Sequence, residues 1–520
     1  MRNPLRTKGG VQSQTSVSKS LPAPLRGMNM RDSIADMKEG YALVLNNWFC
    51  KTSYLEVRGG CSNHLTGMTG TPKTLAVYNK LDGTSKMYAA TNAGVFDATS
   101  AGAVGASLAA RTNGKHQCLN FGDGTNNYLM MFNGVDKPLY FDGTTWTAVD
   151  GSSSPALTGL TTTKIISAFA SKGRLYFLET DSLSFWYLAA GAAGGALTEF
   201  PLDGVAKKGG YLMAGATWTF DGGDGVDDAV VFITSEGEVI VYKGTNPSSA
   251  SAWILVGVFE LGKPLGRRCL NKAGGDLLVI TESGVYPLSQ ALQSTTVDHR
   301  AAITNIIEDE ITKEGRLYGS NFGWEIAFYP AQSALILNVP IVEDGEHEQY
   351  VMNTITKAWS RFTDWDAETF TEFNGELYFA TSTKVVKAWS GVSDYGNNID
   401  AYGKSAFSYF GSRGQQKNFT LFRPTLNVNG SVSFLTGLDV DFKDSPISDT
   451  ATYSVVSGAI WDASNWDQAY WAAGLEIVSR WTSPSEGIGY CGATKLKIST
   501  NSLTIQWISS DVVYQTGGVM

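Results

Sequence analysis

Short apolar runs, each closed by a turn rich in Gly, Asn or Asp and followed by a second run, recur along most of this chain. The clearest copy lies between Thr217 and Thr245. An acidic, glycine-rich turn from Asp221 to Asp228 precedes the run Ala229-Val230-Val231-Phe232-Ile233-Thr234, and a tight turn at Ser235-Glu236-Gly237 leads to Glu238-Val239-Ile240-Val241-Tyr242. Branched and aromatic side chains suit a pleated sheet and glycine supplies the turn, so the pattern predicts a β-hairpin. Related pairs are centred near residues 88, 130, 176, 231, 278, 336 and 378. Spacings of roughly 40 to 60 residues match one four-stranded propeller blade per repeat, with insertions. A lone blade cannot bury its own faces, so the repeats predict a closed ring of six or seven blades over residues 61–395.

The pattern changes after residue 396. The stretch from Gly403 to Gly414 is rich in glycine and polar residues, and beyond it Thr420–Pro424 and Thr425–Phe434 alternate with period two. Further alternating runs at Leu475–Trp481, Lys495–Ile498 and Ser502–Ile508 predict a C-terminal β-sandwich over residues 396–520. The expected fold class is therefore all-β, a β-propeller plus a sandwich-like platform. At the other end, residues 1–26 carry Arg2, Arg6, Lys8, Lys19 and Arg26 and no acid. With no apolar periodicity, they read as a basic arm that helps assembly rather than folding. Residues 27–60 read as a short helix or turn from Asp32 to Leu45, then an extended run that completes the platform and leads into the propeller.

Composition narrows the function. Glycine is 57 of 520 residues and proline only 15, which suits a turn-rich β protein rather than a disordered one. The net charge of −9 argues against a basic face that grips nucleic acid. Cys50, Cys61, Cys118, Cys269 and Cys491 are scattered, odd in number and without a CxxC, and His64, His116, His299 and His347 lack metal-site spacing. Neither an N-terminal apolar segment nor a run approaching ~18 apolar residues is present, so neither a signal peptide nor a membrane span is expected.

Candidate chemistry is sparse. Asp221, Asp224, Asp227 and Asp228 place several carboxylates on a glycine-rich turn, the setting hard cations such as calcium use. Their spacing departs from the alternate positions of propeller calcium loops, and a solvated turn held by side-chain-to-backbone bonds explains them too. Trp461, Trp466 and Trp471 crowd a polar loop, as an interface anchor or as packing on the sandwich. Asp142-Gly143-Thr144-Thr145-Trp146 resembles the structural Asp box of sialidase-type propellers, one residue short. Lys207-Lys208 and Arg267-Arg268 read as solvated loops or intersubunit ion pairs. Nucleophile elbow, P-loop and dinucleotide fingerprint are all missing, so no catalytic residue is assigned and no enzyme activity or cofactor beyond that calcium is expected.

Several stretches taken together resemble the nozzle (tail tubular, or head-completion) proteins of short-tailed bacteriophages. They are Leu45-Asn46-Asn47-Trp48-Phe49 with Tyr54-Leu55-Glu56-Val57-Arg58-Gly59-Gly60, the Trp218–Asp228 run, Tyr242–Pro247 with Leu265-Gly266-Arg267-Arg268, and Met352–Phe362. Their order and spacing carry the resemblance, over roughly residues 20–430. It implies a structural virion protein, made in the host cytoplasm, that forms a hexameric ring at the distal end of a phage tail. Such a ring docks on an adaptor ring, extends the DNA channel, retains packaged DNA and carries tail fibres or tailspikes. Duplex DNA in transit would be contacted without sequence preference, by walls expected to be acidic or neutral. The alternative is a propeller that binds or cleaves surface glycans.

Overall fold

In the computed structural model of the chain, residues 15–80, 82–219, 228–292, 299–447, 449–453, 475–483 and 487–517 are described. The chain divides into two units, Arg58–Asn397 and a discontinuous one made of Met1–Val57 with Asn398–Met520.

Within Arg58–Asn397, seven antiparallel sheets follow one another. Their second strands are Ser85–Thr91, Asn127–Phe132, Arg174–Glu179, Ala229–Thr234, Asp276–Thr281, Ala334–Pro340 and Glu376–Thr381. All seven repeat centres of the sequence fall inside these strands. The first strand of each sheet touches the first strand of the next, and the series closes when Thr369–Phe373 meets Thr74–Asn79. This is a seven-bladed β-propeller. The apolar runs are continuous because a middle strand is covered on both faces. Successive side chains leave a strand on opposite sides, so each strand feeds two cores. Leu129 and Met131 pack with Tyr88 and Val95 of the blade before, whereas Met130 and Phe132 pack with Leu175 and Phe177 of the blade after. Likewise Val230 and Phe232 join Tyr176 and Phe185, while Val231 and Ile233 join Leu277 and Val279.

The ring is closed by strands from its two ends. Cys61–Thr66 pairs antiparallel with Lys384–Ala388, adding a strand to the last blade. Just before it, Arg58 is fully buried against Asp394, with Nη1–Oδ1 at 2.9 Å and Nη2–Oδ2 at 2.6 Å, and its guanidinium lies 4.9 Å from the Trp365 ring centre. Gly60 has to be glycine here, since a Cβ would stand 2.0 Å from the Ser393 carbonyl oxygen. The Arg58-Gly59-Gly60 signature thus fastens the closure.

The second unit is a two-sheet β-sandwich built from both ends of the chain. Ile505–Thr516 pairs with Lys417–Val428 on one side and with Ser16–Pro22 and Leu55–Val57 on the other. The opposing sheet runs Ala42–Asn46, Ile399–Ser405, Gly492–Thr500, Val432–Val440, Asp449–Tyr453. Leu21, Phe419, Phe422, Leu438, Val440 and Val512 fill the space between, and Trp48 meets Trp507 at 5.8 Å.

One expectation needs correction. Residues 16–22 are not a free arm but a paired strand, because Leu21 is buried in the sandwich core and the ladder to Ser509–Gln515 satisfies the backbone. Of the helix or turn expected over Asp32–Leu45, the turn is what forms, and it gives way to the strand Ala42–Asn46. The pairing of Ala42–Asn46 with Tyr402–Ser405 overrides its local preference.

Candidate functional site: the propeller axis

The first strands of the blades surround the propeller axis, and small side chains on them leave room. Ala168, Ala214, Gly215, Ala216 and Ala327 help to line a cavity of about 410 Å³. At ~30 Å³ per water, that volume holds a small molecule and not a macromolecule. Its charged lining residues are Arg267, Arg268, Glu325 and Glu372.

Arg268 is committed. Its guanidinium meets Glu325 Oε2 at 3.0 Å and donates to Thr369 Oγ1 at 2.8 Å, Thr74 Oγ1 at 2.8 Å, the Lys73 carbonyl at 2.9 Å and the His116 carbonyl at 3.1 Å. It also lies 4.8 Å from the Phe322 ring centre. Glu325 in turn accepts the backbone N–H of Phe370. Burial pushes the Glu325 pKa up, and Arg268 and these hydrogen bonds oppose the shift. Beside this knot, the buried Lys73 ammonium bridges Glu368 and Asp344, each at 2.7 Å. Burial drives the His116 pKa down to about 4, so that imidazole is neutral near pH 7.

Arg267 differs. Among the described residues it has no carboxylate within ion-pairing distance, and burial lowers its pKa while Tyr211 and Asp181 oppose the change. Cys118 also lines the cavity, its side chain open to the solvent within it, and the surrounding protein holds its pKa up at about 12. The axial role of Arg267-Arg268 was missed in the sequence. An adjacent basic pair just ahead of an inner strand was the available signal.

Of the other sequence candidates, Asp228 is buried at the start of Ala229–Thr234, while Asp221, Asp224 and Asp227 lie outside the described residues. Among the described residues no cluster of three His, Cys, Asp or Glu side chains is arranged to hold a metal ion. Lys19 pairs with Glu39 at 2.5 Å and Arg26 lies 5.6 Å from the Tyr41 ring centre, both within the sandwich unit. Arg2, Arg6, Lys8, Trp461, Trp466 and Trp471 lie outside the described residues. The Asp142 turn is structural, its Oδ1 accepting from the N–H groups of Thr144 at 2.8 Å and Thr145 at 2.7 Å. The Lys207-Lys208 pair folds onto its own blade. Glu238 accepts both backbone N–H groups, and Lys208 Nζ meets Glu260 at 2.9 Å.

No family model matches the chain, and no curated protein matches it either. Among solved structures, it is similar to the Cps50 (Swd1) β-propeller domain of Myceliophteria thermophila, at 13% identity and TM-score 0.40 over 63% of this chain and 98% of that one. It is also similar to the Neurospora crassa Pan2 WD40 domain, at 8% identity and TM-score 0.37 over 63% and 95%. A third likeness is to BBS1N in complex with ARL6DN, at 12% identity and TM-score 0.40 over 64% and 96%. The assignment of fold rests on this chain's own strand pairing, by which it is a β-propeller protein carrying a β-sandwich.

Proposed function

We propose that this chain is a structural subunit of a phage tail nozzle, assembling as a hexameric ring that docks on an adaptor ring, carries fibres or tailspikes and lets duplex DNA pass between copies. The observation that carries this reading is where the stretches of resemblance fall. Asn47 and Trp48 knit the sandwich, Asn47 Nδ2 donating to the Asp400 carbonyl at 2.9 Å. Arg58 and Gly60 fasten the propeller closure. Arg268 ties the axis, and Asn353 Oδ1 caps the turn after Met352 by accepting the N–H groups of Ile355 at 2.9 Å and Thr356 at 3.2 Å. Signatures placed at joints of a scaffold suit a protein whose product is an assembly.

Two further features support it. The axial cavity is far too small for a duplex, which suits a conduit formed between subunits rather than through one propeller. A net charge of −9 per subunit favours walls that let DNA slide rather than hold it by counterion release. Glycan cleavage by paired carboxylates is less well served by the axial cavity. Glu325 is tied to Arg268, leaving Glu372 as the uncommitted acid where two are needed.

Native mass spectrometry and negative-stain imaging of the purified full chain test the proposal, alone and with an adaptor ring. Six-membered rings are the expected result. A chain that stays monomeric in both conditions, or that binds duplex DNA tightly with steep salt dependence, overturns it.

A further inference from the structure

Arg267, a partly exposed cation on the axial cavity, has no carboxylate within ion-pairing distance among the described residues, and Asp181 acts on it only from farther away. Arg268 and Arg267 are neighbours in sequence and line the same cavity, yet only Arg268 meets a carboxylate among the described residues. A guanidinium partly withdrawn from water gains from a nearby counter-charge, and the more so the less water reaches it. Neutral polar groups share the cavity wall. Gln117, Ser167 and Thr371 line it, and among the described residues no side-chain hydrogen bond uses them. The nearby small side chains hold the cavity open at about 410 Å³.

We propose that the axial cavity of the propeller binds a compact oxyanion, a phosphate or a small carboxylate, with the Arg267 guanidinium as its counter-charge and the Gln117 and Ser167 side chains as further donors. A guanidinium presents a planar fork of N–H groups that matches both kinds of oxyanion. Glu372, which lines the cavity from another blade and is not among the groups that act on Arg267, limits the ligand. A long polyanion reaching across the cavity would meet its carboxylate, so a compact ion is favoured. The inference stands apart from the ring reading, since it concerns a cavity inside one propeller.

The test is calorimetric titration of the full chain with inorganic phosphate and, separately, with malonate. The expected result is 1:1 binding of at least one, weakened about tenfold or more in Arg267→Gln and partly kept in Arg267→Lys. Binding of phosphate alone assigns a tetrahedral oxyanion, and binding of malonate alone a carboxylate. Glu372→Gln should tighten binding about two- to threefold by removing a like charge. If Arg267→Gln fails to fold, Glu372→Gln decides, and an unchanged affinity there overturns the assignment. Binding that is unaltered in a folded Arg267→Gln protein overturns it as well, as does failure of both anions to bind the native chain at tens of millimolar.

Discussion

Arg268 Nη1 lies 3.0 Å from Glu325 Oε2, joining the loop that leads into one inner strand to the inner strand of the next blade. The same guanidinium reaches Thr369, Thr74, Lys73 and His116, so one side chain connects segments from five consecutive blades around the axis.

Arg268→Ala is therefore expected to destabilise the propeller by about 3–5 kcal/mol, since it strands the buried Glu325 carboxylate. Arg268→Lys should recover little, because a single ammonium cannot reproduce a planar fork with that many acceptors. Denaturant unfolding measures both, and a loss under ~1 kcal/mol in the alanine variant would remove Arg268 from its place as an axial tie.

The closure offers a more local test. Asp394→Ala leaves Arg58 buried without its carboxylate and should cost about 3–5 kcal/mol. Hydrogen exchange should then quicken in Cys61–Thr66 and Lys384–Ala388 before it quickens in Ala229–Thr234. Uniform loss of protection would argue that the closure is not the weak point.

Glu314 adds a pH dependence. Burial pushes its pKa up to about 7, and the hydrogen bond from Tyr350 at 2.8 Å opposes this only in part. The folded state then holds the proton more tightly than the unfolded state, whose carboxyl keeps an ordinary value near 4.5. Stability should fall as pH rises from about 4.5 to about 7 and level off above that range. Glu314→Gln keeps an acceptor for Tyr350 and should be more stable than the native chain at pH 8 by about 1–3 kcal/mol, with no advantage at pH 4. Thermal melts at both pH values check this, and equal gains at both would dismiss Glu314 as the source.

At the N-terminus, Leu21→Ala should cost about 2–4 kcal/mol through the cavity it leaves in the sandwich core. Deleting residues 1–22 should be worse, because the edge of Ile505–Thr516 from Ser509 to Gln515 loses its partner strand. A sandwich with unchanged melting after that deletion would restore the view of this segment as a pure assembly arm.

Much of this architecture was legible because a propeller is periodic. Its middle strands are covered on both faces, so Ala229–Thr234 and Ala334–Pro340 stand out as apolar runs without help from their neighbours. Ser16–Pro22 did not stand out. Most of it is polar and exposed, and only Leu21 reports the core, so its partner strand hundreds of residues away decides its structure. Arg268 was hidden for a related reason. Its five acceptors come from positions 73 to 369, a convergence that ring closure creates and that no local pattern announces.

The strand Cys61–Thr66 emerges from the ribosome early yet pairs with Lys384–Ala388, some 318 residues after Thr66. At ~5–20 residues per second, it waits on the order of tens of seconds for its partner. Ser16–Pro22 waits longer still, for a strand that ends at Thr516. Synthesis therefore proceeds with two open sheet edges, and neither unit can be completed by a truncated chain. A nascent chain that stops short presents those edges to its neighbours, whereas a finished chain conceals them. Closure of the two units is thus deferred until Lys384–Ala388 and Ile505–Thr516, respectively, have been made, and until then each keeps an edge that another strand could occupy.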